Sequence, residues 1–226
     1  MLRTVIFDFD GVIIDSEILH FHAFNEALAP LGASITEQDY FKVYLGLTDL
    51  DCFKAINGKF KLNLDNSGLE NILKEKSCFF RKLVKTSGKL IEGVCDFLIM
   101  LKQNNIPMAI CSGALLAEIV LILDANKLKS FFEVIVSADQ VKRGKPYPDG
   151  FLLALQKLNE KRTSAIQPGQ CIVIEDSRWG LEAAQKAAMH TIAVTNSYDA
   201  AQLKTADKIV TKLTELTMDD LQQLCS

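Results

Sequence analysis

Short, almost wholly apolar runs recur along the chain, each ending at a polar residue. Thr4-Val5-Ile6-Phe7 is the first. Pro107-Met108-Ala109-Ile110-Cys111, Phe132-Glu133-Val134-Ile135-Val136, Cys171-Ile172-Val173-Ile174, Thr191-Ile192-Ala193-Val194 and the weaker Lys208-Ile209-Val210 follow. Runs of this length without polar alternation predict strands buried on both faces. Between them apolar positions repeat at helical spacing, over 94–105, 114–126, 149–159, 178–188 and 217–225. Strands separated by helices of this size predict βαβ units and a parallel sheet.

One interval breaks the rhythm. The stretch between the first two strands far exceeds the dozen residues a crossover needs, and residues 16–88 carry helix signals without a convincing strand. Asp15 and Ser16 are cap residues for a helix ending near Pro30 and Gly32. Thr36 can cap a second, Thr48 a third, and Asn66 or Ser67 a long fourth through Lys85. The predicted fold is α/β, a Rossmann-like doubly wound parallel sheet core over 1–14 and 89–226, with a helical cap subdomain, 15–88, inserted after the first strand. The two connections, near Ile13–Asp15 and Ser87–Ile91, are the expected hinges.

Composition narrows the function classes. With 226 residues, 49% of them hydrophobic and 23% charged, the chain can bury a sizeable core, which excludes disorder as the main state. A net charge of −3 offers no global attraction to nucleic acid or anionic lipid, and neither is expected as a partner. The best apolar stretch, Leu115 to Leu123, is interrupted by Glu118 and too short for a membrane helix. Met1-Leu2-Arg3 leads directly into a run carrying two aspartates, too short and too acidic for a signal peptide. Of six scattered cysteines without a C-x-x-C pair, most read as core thiols in a reducing, cytosolic setting.

In open parallel sheets, ligands bind beyond the carboxyl ends of the strands. The first strand ends in Asp8-Phe9-Asp10-Gly11, the second in Ser112-Gly113, and the fourth in Glu175-Asp176-Ser177; Lys142-Arg143-Gly144-Lys145-Pro146 follows the third. Four carboxylates around one crevice would repel each other by about 4 kcal/mol per pair at about 4 Å and an effective dielectric near 20. A hard divalent cation with oxygen ligands, Mg²⁺ above all, resolves that conflict. Ser112, with the amides that follow it, is a candidate phosphate holder. Pro146 and Pro148 stiffen the loop that aims Lys145.

Taken together, Asp8-Phe9-Asp10-Gly11-Val12 with Asp15-Ser16-Glu17, Ser112, Lys145-Pro146-Tyr147-Pro148-Asp149 and Glu175-Asp176-Ser177-Arg178-Trp179-Gly180 resemble the four motifs of the haloacid dehalogenase superfamily. They occur in order over essentially the whole chain. The insert is similar to the α-helical cap of the subgroup containing β-phosphoglucomutase and phosphoglycolate phosphatase. This resemblance implies a phosphoaspartyl mechanism: Asp8 as nucleophile, Asp10 as general acid and then base, Ser112 and Lys145 holding phosphoryl oxygens. It also implies a Mg²⁺ site from Asp8, Asp176 and Glu175, with the backbone carbonyl of Asp10.

The same resemblance singles out residues of the insert. His20 occupies the place where β-phosphoglucomutase-like proteins carry a histidine. In Tyr44-Leu45-Gly46-Leu47-Thr48-Asp49, Gly46 is kept, but Leu45 replaces a lysine and Asp49 an arginine that in mutases grips a second phosphate. An acid there is expected to repel a distal phosphate, which favours a phosphatase over a phosphosugar mutase. Lys76 is either a further substrate contact or, amid Lys74, Glu75 and Lys82, a surface residue. Phe21, Phe24, Phe41 and Phe53 are expected in the core of the insert. The expected substrate is a small phosphorylated metabolite, a sugar phosphate or phosphoglycolate-like ester, and the expected state a monomer or weak homodimer.

Overall fold

The computed structural model describes every residue except Gly46 and Lys161, with residues 85–87 described by their backbone alone. The strands are β1 (Thr4–Phe7), β2 (Ile14–Asp15), β3 (Lys89–Leu90), β4 (Met108–Cys111), β5 (Val134–Val136), β6 (Cys171–Glu175), β7 (His190–Val194) and β8 (Lys208–Val210). The α-helices are α1 (Glu17–Leu28), α2 (Glu37–Asp39), α3 (Asp49–Phe60), α4 (Asn66–Ser87), α5 (Val94–Gln103), α6 (Leu116–Ala125), α7 (Asp149–Asn159), α8 (Arg178–Lys186) and α9 (Met218–Leu224). Among the described residues no helix is long and apolar enough to cross a membrane.

The chain divides into two compact units, Met1–Asp15 with Lys89–Ser226, and Ser16–Gly88. The first contains a six-stranded parallel sheet in the order β5-β4-β1-β6-β7-β8. Every residue of β1, β4 and β6 is buried, the environment that their continuous apolar runs require. Alternation of side chains about the strand sends neighbours in β1 to opposite faces. Ile6 joins Phe151, Ala154 and Leu158 of α7 and Ala183 and Ala184 of α8 in one core layer. Phe7 meets Phe97 of α5 and Phe132 edge-on, each at 5.9 Å between ring centres. Asp15, assigned by sequence to the insert, instead pairs with Lys89 in a two-residue antiparallel ribbon, with Ile14 opposite Leu90.

The second unit is helical. Thr36 and Thr48 cap α2 and α3 by accepting from the amides of Asp39 and Asp51. The cap of α4 is Asp65, which accepts from Gly68 N at 2.7 Å; Asn66 and Ser67 already lie inside the helix. Phe24, Leu28, Tyr40, Phe53, Ile56 and Ile72 form its core, with Phe21 packed against them. Phe41, expected in that core, is exposed. It lies in a π-helical turn, Tyr40–Tyr44, whose wider winding breaks the 3.6-residue spacing on which the expectation rested.

Candidate active site

The order of the sheet decides where polar groups gather. From β1 the chain builds outward through β4 to β5, then returns to lay β6 on the other flank of β1. Such a reversal opens a crevice at the carboxyl end of the central strand. Asp8 follows β1, Ser112 follows β4, and Glu175 closes β6 with Asp176 next in the chain. The amide of Asp8 donates to Ile174 O at 2.9 Å, so the ladder between β1 and β6 runs one residue further and sets the aspartate's backbone.

Lys145 reaches the same place from the loop before α7. Arg143 pairs with Asp149 at 3.0–3.1 Å, and Tyr147 N donates to Gly144 O at 3.0 Å, which folds that loop back on the helix it precedes. The Lys145 ammonium lies 5.4 Å from the centre of the Phe151 ring. From there Nζ donates to Asp8 Oδ1 and Glu175 Oε1, each at 2.5 Å. Glu175 is fully buried and heavily held: Oε2 accepts from Asp176 N and Ser177 N at 3.1 Å and from Ser177 Oγ at 2.9 Å.

Among the described residues Asp8, Glu175 and Asp176 form one group able to hold a metal ion, each offering an oxygen within 4.8 Å of the others. Asp10 is not among the three; its carboxylate lies 3.5 Å from the hydroxyl of Ser112. Burial raises the Asp8 carboxyl, Lys145 opposes the rise, and Glu175 and Asp10 add to it, leaving the group at about 7. Asp176 is pushed well above its ordinary value, first by burial and then by Glu175 and Asp8. Burial alone would lower Lys145, but attraction to Asp8 and Glu175 outweighs it and holds the ammonium above its usual range. The site is thus short of positive charge.

Ser112 is buried, and its Oγ accepts from Ala114 N at 2.9 Å. One of the amides expected to hold phosphate is therefore committed inside the loop. Gly113 is exposed, with open space on the side where a Cβ would stand.

In the helical unit the structure corrects two readings. Lys76 is only 1% exposed, so it is not a surface residue. Its ammonium donates to both oxygens of Asp49, at 2.8 and 2.7 Å, and lies 4.8 Å from the Phe24 ring centre and 5.2 Å from that of Phe80. Asp49 is accordingly half of an ion pair, and its charge is no longer a bare repulsive one. His20 stacks on Phe80 at 4.0 Å and has Nδ1 2.6 Å from Lys76 Nζ. An ammonium only donates, so Nδ1 accepts and the ring proton sits on Nε2. Burial, then Lys76, lowers the His20 pKa well below 6.5 and keeps the ring neutral near pH 7. Gly46 lies outside the described residues.

Sequence reasoning assigned no role to four residues that shape this site. Ser177 caps α8 by accepting from Gly180 N at 3.1 Å while its hydroxyl donates to Glu175. Gly180 leaves the space that the Glu175 carboxylate fills, since a Cβ there would overlap it. Asn196 donates to Gly11 O at 2.7 Å, and Ser197 donates to Asp176 Oδ2. Ser177 and Gly180 stand inside the motif read from the sequence over 175–180, and the signal for Asn196 and Ser197 was their place after β7, where the other polar groups also fall. Gly180→Ala follows as a test. Alanine in a helix normally gains about 1 kcal/mol over glycine, but here the added methyl meets a fully buried side chain held by four donors. A net loss of about 1–3 kcal/mol is expected, read as a lower thermal midpoint; a raised midpoint would refute the close packing.

A family model for haloacid dehalogenase-like hydrolases matches residues 5–194. The phosphorylated carbohydrates phosphatase of Thermotoga maritima is 32% identical over 195 residues, 84% of each chain. The fructose-1-phosphate phosphatase of Escherichia coli is 30% identical over 193 residues, 84% of this chain and 95% of the other. The β-phosphoglucomutase of Clostridium difficile superposes with a TM-score of 0.82 at 25% identity, covering 100% of this chain and 97% of that one.

Proposed function

Because the chain belongs to the haloacid dehalogenase-like hydrolases, we propose that it is a Mg²⁺-dependent phosphatase of small phosphorylated carbohydrates, working through an aspartyl-phosphate on Asp8. Both relatives named above carry phosphatase names for substrates of that kind. The observation that carries the reading is the charge balance at the end of β1. Asp8, Glu175 and Asp176 bring three carboxylates within 4.8 Å of one another against the ammonium of Lys145, a formal excess of two negative charges among these groups. A phosphate ester, itself an anion, meets repulsion there unless a cation is present.

The donor set suits a hard dication: all oxygen, carboxylate-rich and close together. Asp8, Asp176 and Glu175 would hold it, directly or through water, and when bound it supplies positive charge to the phosphoryl oxygens. The remaining chemistry belongs to the chain. An Asp8 carboxylate oxygen attacks phosphorus while the bond to the ester oxygen breaks, and Asp10 gives its proton to the departing alkoxide. Lys145 and Ser112 hold the transferring oxygens as charge spreads over them. Asp10, now ionised, takes a proton from water as that water attacks phosphorus; the P–O bond to Asp8 breaks, and inorganic phosphate leaves with the carboxylate restored. All six cysteines are free thiols, which suits the cytosol we propose as its location.

A panel of sugar phosphates and phosphoglycolate, assayed for released phosphate with Mg²⁺ and with EDTA, tests the proposal. Release from at least one sugar phosphate, silenced by EDTA and restored by excess Mg²⁺, is expected; equal rates in both conditions would remove the metal from the mechanism. The likeness to a β-phosphoglucomutase favours a second reading, transfer of the acyl-phosphate back to a sugar. In the helical unit Lys76 is committed to Asp49 and His20 instead of presenting a cation to a second phosphate, which favours the hydrolase. Conversion of a hexose 1-phosphate, primed with a bisphosphate, to its isomer without free phosphate would decide for the mutase.

A further inference from the structure

Glu175 and Asp176 are adjacent in sequence and unequal in support. The carboxylate of Glu175 accepts from Lys145, from two backbone amides and from the Ser177 hydroxyl. Among the described residues the carboxylate of Asp176, only 4% exposed, accepts from Ser197 Oγ alone. A carboxylate's terminal torsion is broad and two-fold, so a lone donor on one oxygen decides how the group is turned.

The segment bearing Ser197 is itself anchored. Thr195 N donates to Val210 O at 3.1 Å, extending the β7–β8 ladder, and Asn196 Nδ2 donates to Gly11 O at 2.7 Å. Gly11 has a φ of 75°, and a Cβ on it would stand 2.8 Å from Ser197 Oγ and overlap the Asp176 carboxylate. The turn after β1, the end of β6 and the segment after β7 therefore interlock around one carboxylate, with a glycine where they come closest.

We infer that Ser197 is a positioning residue for the metal site: its hydroxyl sets the orientation of Asp176, on a segment that Asn196 fastens to the turn after Asp8. The inference rests on the Mg²⁺ reading above. Donors behind a metal ligand matter in general because the ligand's free rotation otherwise opposes binding; losing one typically weakens affinity 10–100-fold.

The test is the Mg²⁺ dissociation constant by titration calorimetry on the full chain, checked by the Mg²⁺-dependent rise in thermal midpoint. Ser197→Ala is expected to bind Mg²⁺ about 10–100-fold more weakly, and Ser197→Thr, which keeps the hydroxyl, within about three-fold of wild type. The Mg²⁺ concentration giving half-maximal phosphate release should rise in parallel in Ser197→Ala, with a much smaller change in rate at saturating Mg²⁺. If the alanine variant does not fold, Ser197→Cys, of similar volume and with a weaker donor, takes its place. Wild-type affinity in a folded Ser197→Ala would overturn the positioning role alone. A wild-type protein taking up no Mg²⁺ would overturn the metal reading and this inference with it.

Discussion

Asp8→Asn is expected to lower phosphate release by at least about 10³-fold while the chain stays folded, because only the proposed nucleophile is lost. An amide of the same shape can still accept from Lys145 through its oxygen, so the 2.5 Å contact seen for Asp8 has a successor. The change also removes one charge from a group whose oxygens lie within 4.8 Å of one another, where each like pair costs about 3 kcal/mol at an effective dielectric near 20. Stability should therefore hold or rise. A pH signature accompanies it. With Asp8 at about 7 in the folded protein against 3.8 for an ordinary aspartate, the metal-free native state binds a proton in that interval that the unfolded chain has released. Wild-type stability should fall as pH rises from 4 towards 7 on this group's account, and Asp8→Asn should remove that slope. Single-turnover assays with Mg²⁺ and thermal unfolding across that pH range check both halves. Substantial Mg²⁺-dependent turnover in the variant would refute Asp8 as nucleophile.

The parts of the site legible in sequence are those whose position follows from their own strand. Asp8, Ser112 and Glu175 each end an unbroken apolar run, and a run buried on both faces can only end where the sheet does. Residues whose work depends on a distant partner were opaque. Lys76 resembles its charged neighbours Lys74 and Glu75, and only the fold brings it to Asp49, 27 positions away, and buries both it and the rings of Phe24 and Phe80. Ser197 stands 21 positions from Asp176 in an Asn-Ser pair that composition reads as an ordinary turn. Gly180 is a helical glycine whose purpose is the volume it leaves to Glu175, a through-space fact. The shift from Asn66 to Asp65 as the cap of α4 is a smaller matter, since all three candidates can accept from a first-turn amide.

Lys145→Met should remove activity and destabilise the metal-free protein by roughly 3–5 kcal/mol, because it leaves Glu175 fully buried and Asp8 nearly so without the cation between them. Methionine keeps an unbranched apolar stem, so the variant isolates the charge from the packing. At about 2–4 °C per kcal/mol for a chain of this size, the thermal midpoint should fall by roughly 10 °C. Glu175→Gln added to the same chain should recover much of that loss. The amide oxygen can still accept from Asp176 N and Ser177, while the repulsion with Asp8 disappears. Activity should not return, since the group proposed to hold the phosphoryl oxygens is still missing. Recovery of stability without activity would separate the two duties proposed for one ammonium: neutralising buried acids in the resting protein and holding phosphate during reaction. A midpoint in Lys145→Met equal to wild type would mean that Asp8 and Glu175 need no counter-charge, and the case for a crowded acidic centre awaiting a dication would fall with it.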